Sequence, residues 1–282
     1  MNYWIRFKKH KMAMGGLVLT LLLIIVAVFA GLFAPYDPYE QDLFNSYAAP
    51  SEEHLLGLDS LGRDVLSRLI FASRISLSVG IMAALVSTFI GIVVGSLAGY
   101  AGGKVDALLS RVADGFLSFP SIVLIMTMVY VVGPNIRNVI LILGILGWPQ
   151  IFRLVRSQFM YLREMEFIKA AKAVGVTPFR LVLKHLFPNA VAPVIVAATF
   201  KAVEAILMES AISFLGFGVQ PPIATWGNML TDAQSINVLA TKPWIWVPPG
   251  IMVSIAILSI NFVGDGLRDA FDPKSQIFGK EL

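Results

Sequence analysis

Three charged residues, Lys201, Glu204 and Glu209, stand within a long apolar stretch of the sequence. Lys201 and Glu204 are three positions apart, so they share one face of a helix and an ion pair is within reach. In lipid such charges are costly unless they are paired or in contact with water. They could neutralise each other, or line a wet passage in which Lys201 meets a carboxylate and Glu204 or Glu209 an ammonium group. A hydrogen bond between packed helices would suit Glu209 equally well.

Residues for other kinds of chemistry are missing or scattered. The chain has no cysteine, which excludes disulfides, thiolate metal sites and cysteine nucleophiles. His10, His54 and His185 are far apart in the sequence, so neither a metal site nor a histidine-based triad is predicted. The dipeptide Gly103-Lys104 lacks the rest of the phosphate-binding loop of nucleotide hydrolases. We therefore predict no catalytic residue and no cofactor in this chain. Any ATP hydrolysis that serves its function must take place on other chains.

The composition is that of a membrane protein. Of 282 residues 57% are hydrophobic and only 14% are charged, and the mean hydropathy is +0.76. A soluble domain carries about 25% charged residues. A soluble core could not hide this much apolar surface, so lipid must be the solvent for much of the chain. An all-α, polytopic membrane protein is the predicted fold class.

Six apolar stretches predict about six spanning helices. They are residues 15–33, 75–100, 119–132, 139–152, 190–214 and 244–263. The first is longer than the roughly 7–15 residues of a signal-peptide core and lacks a clean cleavage site, so we interpret it as a retained anchor. The third and fourth are shorter than the usual span of about 17–25 residues, and they are interrupted by Gly133, Pro134 and Pro149.

The basic residues orient these spans. With a cytoplasmic N-terminus, sixteen of the 22 lysines and arginines fall in inner segments, five in outer segments and Lys201 in a span. This excess agrees with the rule that cytoplasmic loops are basic. It explains the net charge of +4 without a nucleic-acid partner. The predicted layout places a cytoplasmic N-terminus at 1–14, an outer loop at 34–74, a transmembrane core at 75–263 with an inner loop at 153–189, and a cytoplasmic C-terminus at 264–282.

The inner loop carries the strongest pattern. Residues 164–173 predict a short helix ended by Gly175, which can adopt the left-handed conformation. Thr177 and Pro178 are a typical helix start, and Pro188 is predicted to stop that second helix. Two short helices and a glycine hinge would form a knob that protrudes into the cytoplasm. By physical arguments alone, a hairpin resting on anionic lipid is an equal alternative.

Residues 166–189, EFIKAAKAVGVTPFRLVLKHLFPN, resemble the "EAA" coupling loop of permease subunits of bacterial ATP-binding-cassette (ABC) importers. The positions that match are Ala170, Ala171, Gly175, His185, Pro188 and Asn189. Lys169 stands where that motif has glutamate, and Glu166, three positions earlier on the same helical face, is a candidate substitute. The resemblance implies that these eight residues contact the partner ATPase.

Two outer segments extend the resemblance over nearly the whole chain. Residues 54–77 and 213–230 are similar to signatures of the second permease type in the dipeptide/oligopeptide/nickel group. The resemblance implies a type I permease in the cytoplasmic membrane of a prokaryote, importing short peptides, with nickel chelates or glutathione as alternatives. The implied partners are a second homologous permease subunit, two cytoplasmic subunits that hold ATP and magnesium, and an extracytoplasmic substrate-binding protein.

The outer segments also suggest local roles. In residues 54–77 one helical face is apolar and the other polar, which predicts an amphipathic helix at the membrane surface. The apolar face is Val65, Leu66, Leu69 and Ile70, and the polar face is Arg63, Asp64, Ser67, Arg68 and Arg74. This helix could orient the second span or contact a binding protein. Trp226 is interpreted as an aromatic anchor at the interface. A different class, an ion-coupled transporter using Lys201, Glu204 and Glu209, stays open.

Overall fold

The described chain, residues 3–272 of a computed structural model, is built from helices. They are α1 Tyr3–Lys9, α2 Lys11–Val28, α3 Ala30–Phe33, α4 Val65–Ala101, α5 Gly103–Leu117, α6 Ser121–Val132, α7 Ile136–Arg163, α8 Glu166–Ala173, α9 Pro178–Leu181, α10 Phe187–Phe214, α11 Trp226–Met229, α12 Ile236–Thr241 and α13 Pro243–Phe271. A π-helical turn, Val182–Leu186, joins α9 to α10, and 3₁₀ turns lie at Leu43–Asn45 and Thr231–Gln234.

Five of these elements are long and apolar enough to cross a membrane, namely α2, α4, α7, the continuous α9–α10 and α13. Helices α5 and α6 together are apolar enough as well, but they are bent by 85° and give a sixth crossing when the pair is counted as one broken span. At 1.5 Å per residue, α6 alone rises only about 18 Å, less than the apolar thickness of a bilayer. The predicted all-α fold with about six spans is confirmed, but the third span, predicted at 119–132, is a broken element.

The packing of α4 against α7 forms the centre of the bundle. Gly91, Gly95 and Gly99 line the side of α4 that faces α7. A Cβ atom on Gly91 would lie 2.5 Å from the Cβ of Ile151, and one on Gly99 would lie 2.6 Å from the Cβ of Phe159. Small residues four apart let two helix backbones approach closely in a membrane, where dispersion rather than water exclusion drives association. This row of glycines therefore fixes how α4 and α7 are aligned along their lengths.

The fourth span is longer than predicted. The sequence pattern placed it at 139–152 because Pro149 interrupts it, but α7 runs unbroken from Ile136 to Arg163 with Pro149 inside it. Proline removes one backbone hydrogen bond. Here Pro149 is buried among neighbours that include Trp148 and Phe152, and continuous packing along α4 offsets that loss. As a result Arg153 lies within α7, and the helix continues for ten residues beyond it, to Arg163.

The polar start of α4 is buried, which differs from the predicted surface helix. Arg63 and Arg68 are 8% and 3% exposed. Their Nε atoms lie 2.7 Å and 3.2 Å from the same oxygen, Oδ2 of Asp59. Leu66, on the predicted apolar face, is instead half-buried. The reason is that the preceding outer loop folds over the polar face and supplies its carboxylate, while the helix simply continues into the second span.

The first and last helices of the described chain, α1 and α13, pack together on the side predicted to be cytoplasmic. Phe7 of α1 is buried beside Ala13 and Ala270, and a Cβ atom on Gly16 of α2 would lie 2.6 Å from the carbonyl oxygen of Ser259 in α13. Helix α13 runs to Phe271, so part of the predicted cytoplasmic segment 264–282 is helical. Residues 273–282, including Lys274 and Lys280 of the charge tally, lie outside the described residues.

Candidate functional site

The inner loop folds into a hairpin of α8 and α9 joined at Gly175. Gly175 has φ +82°, which few other residues adopt, and its N–H donates to Lys172 O at 3.0 Å. Pro178 occupies the first turn of α9, where its missing N–H costs nothing. The predicted pair of short helices with a left-handed glycine between them is therefore present, with α8 beginning at Glu166.

The inside of the hairpin is a small apolar core shared with the spans. Ile168, Leu181 and Leu186 are fully buried, in one cluster with Phe159 and Leu162 of α7. The same cluster continues into the start of α10. Because burial of each such side chain is worth about 1.5–3 kcal/mol, the hairpin is fixed to the ends of α7 and α10 rather than hanging from a flexible tether.

The outside of the hairpin is open to a partner. Val174 and Phe179, at its tip, are 81% and 75% exposed. The residues that the resemblance assigns to ATPase contact divide into two groups. Exposed are Glu166, Lys169, Ala170, Gly175, Pro188 and Asn189, and half-buried are Ala171 and His185. Large exposed apolar side chains on a rigid protrusion are typical of protein-docking surfaces.

Pro188 does not stop the second helix, so that prediction is wrong. The helical path continues from Pro178 to Phe214 through the π-helical turn. In this turn the N–H of Phe187 donates to Val182 O, five residues back. The hydrogen-bond ladder is already shifted by one residue there, so the missing N–H of Pro188 falls where the regular pattern is interrupted anyway. Helix α9 of the hairpin is thus a continuous extension of the fifth span.

Glu164 is a partner that the sequence reasoning missed. Its carboxylate lies 3.8 Å from Lys169 Nζ and 3.3 Å from Arg163 Nε. Lys169, which stands where the motif has glutamate, thus turns toward Glu164, and the expectation that Glu166 substitutes for that glutamate stays a prediction. Glu164 lies at the end of α7 rather than in α8. Its spacing from the motif therefore did not indicate a contact with Lys169. These pairs are exposed and add little stability, but they set the charge pattern of the surface.

Polar links join the hairpin to α4. Nη1 of Arg163 donates to the carbonyl oxygens of Gly99 at 3.5 Å and Tyr100 at 3.3 Å. Lys172 Nζ lies 5.8 Å from the centre of the Tyr100 ring, a cation–π contact. The carbonyl groups at the end of a helix are short of partners, and a cation there is favourable. These contacts join the end of α7 and helix α8 of the hairpin to the end of α4.

A second set of ion pairs ties α5 to α7. Arg156 forms a two-pronged pair with Asp106, in which Nη2 lies 2.6 Å from Oδ2 and Nε contacts Oδ1. Arg153 Nη2 lies 2.7 Å from Asp114 Oδ1. Bidentate arginine–carboxylate pairs are both stronger and more directional than single contacts. The broken third crossing is thereby held to the same helix that carries the hairpin.

Lys201 and Glu204 form the ion pair that their spacing allows. Lys201 Nζ lies 3.0 Å from Glu204 Oε2, and the two side chains are 7% and 36% exposed. A cavity beside them is also lined by Ser121 at the bend before α6 and by Gly147 of α7. A Cβ atom on Gly147 would overlap the end of the Lys201 side chain and Ser87 Oγ. The glycine therefore makes the space in which the ammonium group is held.

Glu209 is separate from that pair. It is fully buried, and its carboxylate accepts hydrogen bonds from Ser213 at 2.7 Å and from Ser76 of α4 at 3.3 Å. Ser76 Oγ also accepts from the backbone N–H of Trp226 at 3.1 Å. This is the helix-packing role that the sequence left open. Trp226 is fully buried in the same region, so its interpretation as an interface anchor is wrong.

A cavity of about 330 Å³, lined by both polar and apolar residues, opens beside this network. Its wall includes Asp59, Arg63, Ser213 and Asp232. Burial raises the pKa of Asp232, and hydrogen bonds from Ser60 and the nearby Arg63 oppose that shift. Within the described residues no group of histidines and carboxylates is suited to a metal ion. The cavity connects the outer loop before α4 to the loop after α10.

Comparison with known proteins agrees with this architecture. Residues 91–277 match the family described as the binding-protein-dependent transport system inner membrane component, and residues 2–50 match the N-terminal transmembrane domain of oligopeptide transport permease C. The chain resembles in fold the MetNI methionine ABC transporter in its inward-facing conformation, with a TM-score of 0.60 and 23% identity over 73% of this chain and 97% of that one.

Curated relatives are similar over almost the full chain. A dipeptide transport system permease of Alkalihalophilus pseudofirmus is 40% identical, covering 95% of this chain and 88% of the relative. An oligopeptide transport system permease of Bacillus subtilis is 37% identical, with 96% and 88% covered, and a glutathione transport system permease of Escherichia coli is 39% identical, with 97% and 90% covered. The chain therefore belongs to the family of binding-protein-dependent transport inner-membrane components, as a multi-pass permease subunit of an ABC importer that works in a membrane complex with ATPase partners.

Proposed function

We propose that this chain forms one half of the membrane pore of an ATP-driven importer of short peptides. A second, similar permease subunit completes the pore, two cytoplasmic subunits bind and hydrolyse ATP with magnesium, and an extracytoplasmic protein delivers the cargo. This chain itself carries no catalytic group. The observation that carries the proposal is the rigid hairpin of α8 and α9, packed through Ile168 and Leu181 onto the spans. The names of the dipeptide and oligopeptide relatives support the cargo class.

In this proposal the ATPases grip the exposed side of the hairpin. Val174 and Phe179 offer apolar contact area at its tip, and Glu166, Lys169 and Ala170 form an adjoining exposed face. Movement of the ATPases would rock the hairpin together with α7 and α10, because the three share one apolar core. The resemblance to the coupling loop and the geometry support the same surface.

The proposal is tested with purified complexes in proteoliposomes. The wild-type chain, its companion subunits and the binding protein should accumulate radiolabelled dialanine only when ATP is supplied on the cytoplasmic side. The chain reconstituted alone, with a sodium or proton gradient, should accumulate none. Uphill uptake by the chain alone would instead identify it as an ion-coupled transporter and would overturn the proposal.

We further propose that Lys201 and Glu204 face the translocation pathway. The carboxylate of Glu204 is one-third exposed in the single chain, and a charge at membrane depth is stable only against protein or water. That side of α10 therefore turns toward the second subunit and the pore. Lys201, largely buried beside Gly147, pairs with this carboxylate at 3.0 Å and fixes its position. Glu204 is then placed to meet the N-terminal ammonium group of a passing peptide.

Replacing Glu204 with glutamine should lower ATP-driven uptake of dialanine by about tenfold, since one charge-assisted contact is lost. Uptake would be measured at saturating binding protein, so that delivery is not limiting. Glu204→Asp, which keeps the carboxylate, should retain most activity. Equal uptake by wild type and Glu204→Gln would place this residue outside the pathway.

A further inference from the structure

A short outer turn presents a large apolar side chain directly to solvent. In the 3₁₀ turn Leu43–Asn45, Phe44 is 101% exposed and Leu43 is 64% exposed. An exposed phenylalanine is unfavourable in water and gains most when a partner covers it. The turn lies in the outer loop, on the side of the membrane opposite the α8–α9 hairpin. Nothing in the transport cycle described above uses it.

The turn is held rigidly. Asp42 Oδ1 accepts from the N–H of Phe44 at 3.1 Å, and Oδ2 accepts from Asn45 Nδ2 at 2.7 Å. The N–H of Asp42 donates to Gly62 O at 3.3 Å. Gly62 has φ +70°, and a Cβ atom there would overlap the backbone carbonyl of Asp42. A backbone turn already fixed in position loses little freedom on binding, which favours a role in docking.

The surroundings of the turn are acidic. No lysine or arginine occurs between Lys11 and Arg63. The same outer loop carries five exposed carboxylates, those of Asp37, Glu40, Asp42, Glu52 and Glu53. The hydrogen bond from Asn45 lowers the pKa of Asp42, so this carboxylate stays ionised. The apolar side chain of Phe44 therefore lies in a loop that is negatively charged.

This charge decides the kind of partner. Anionic lipid headgroups repel an acidic loop, and lipid-anchoring segments are normally basic. A protein with a small apolar pocket edged by lysine or arginine is complementary in both shape and charge. We propose that Phe44 and Leu43 form a docking knob for the extracytoplasmic substrate-binding protein, which presents such a basic-edged pocket. This inference rests on the proposed function, because it assigns that importer's delivery partner to a defined surface.

Substitutions in and near the turn test this proposal. Phe44→Ser should raise the concentration of binding protein needed for half-maximal dialanine uptake by about tenfold, because the central apolar contact is lost. Glu40→Lys should raise it by about threefold, and for the wild type added salt should weaken docking. The matched control is Ile236→Ser, which removes an 84% exposed side chain from the other outer segment and should have little effect.

A spin label at position 44 can distinguish docking of a protein from contact with the membrane. A single cysteine introduced as Phe44→Cys and tagged with a nitroxide should be accessible to a water-soluble relaxing agent in proteoliposomes, and should become protected when binding protein is added. Accessibility to oxygen but not to the aqueous agent would show that the turn lies in lipid and would overturn the inference. Unchanged half-maximal concentrations for Phe44→Ser would overturn it too, while ATP-driven uptake by the wild type would leave the proposed function intact.

Discussion

Replacing Gly175 with proline is expected to abolish ATP-driven uptake while leaving the chain in the membrane. Gly175 has φ +82°, and the proline ring fixes φ near −65°, so the native turn cannot form. The substitution also removes the N–H that donates to Lys172 O. The tip that carries Val174 would be redirected, and the ATPases would lose their grip. Uptake should fall by at least about a hundredfold if the hairpin transmits the movement.

The matched control is Gly175→Asn, since asparagine tolerates the left-handed conformation better than other residues with a side chain. Open space surrounds this position, so no clash is introduced. Gly175→Asn should keep at least about half of the uptake, because the turn geometry survives. Membrane levels of both variants would be compared by immunoblot. Full uptake by the proline variant would remove the hairpin from the coupling mechanism.

The largest effect on folding is expected for Gly91→Leu. A Cβ atom at Gly91 would lie 2.5 Å from the Cβ of Ile151 and 3.0 Å from the backbone N of Phe152. Relief requires α4 and α7 to move apart along their shared stripe. Overpacking of this kind costs about 1–3 kcal/mol or more, and the yield of folded chain should fall by about tenfold. Size-exclusion chromatography in mild detergent would measure the folded fraction.

Gly15→Leu serves as the control for that experiment. Gly15 lies in the spanning helix α2, and nothing is within 4 Å of a Cβ atom there. The same change in size and hydrophobicity should therefore leave the folded fraction near that of the wild type. A comparable loss for both variants would mean that leucine disturbs insertion generally, and the glycine stripe would lose its assigned importance.

Much of the architecture could be predicted because two signals act over long stretches of sequence. Apolar length indicated about six spans, and the hairpin followed from Gly175 and Pro178, whose backbone preferences are strong. Local rules failed where packing outweighs them. Pro149 and Pro188 both lie inside helices, the first embedded between helices and the second beside a π-helical turn. A single missing hydrogen bond costs less than the burial that continuous helices provide.

The faces of the outer segment could not be oriented from sequence. A helical wheel separates polar from apolar residues, but it does not say which side another part of the chain will cover. Asp59 lies four residues before Arg63 and nine before Arg68, and nothing in that spacing predicts that one carboxylate serves both. Trp226 was misplaced for the same reason. Its burial depends on α4 and on the loop after α10 meeting at Ser76, which only the folded chain brings about.

The crowding around Gly147 has a mechanical consequence. Ser87 of α4 and Lys201 of α10 lie so close to Gly147 of α7 that a Cβ atom there would overlap both side chains. We therefore expect helices α4, α7 and α10 to tilt together. Helix α4 has 37 residues, so it is about 55 Å long, and each degree of tilt about its middle shifts its ends by about 0.5 Å in opposite directions. A small displacement of the cytoplasmic end of α4 would thus move its outer end by a similar distance in the opposite direction.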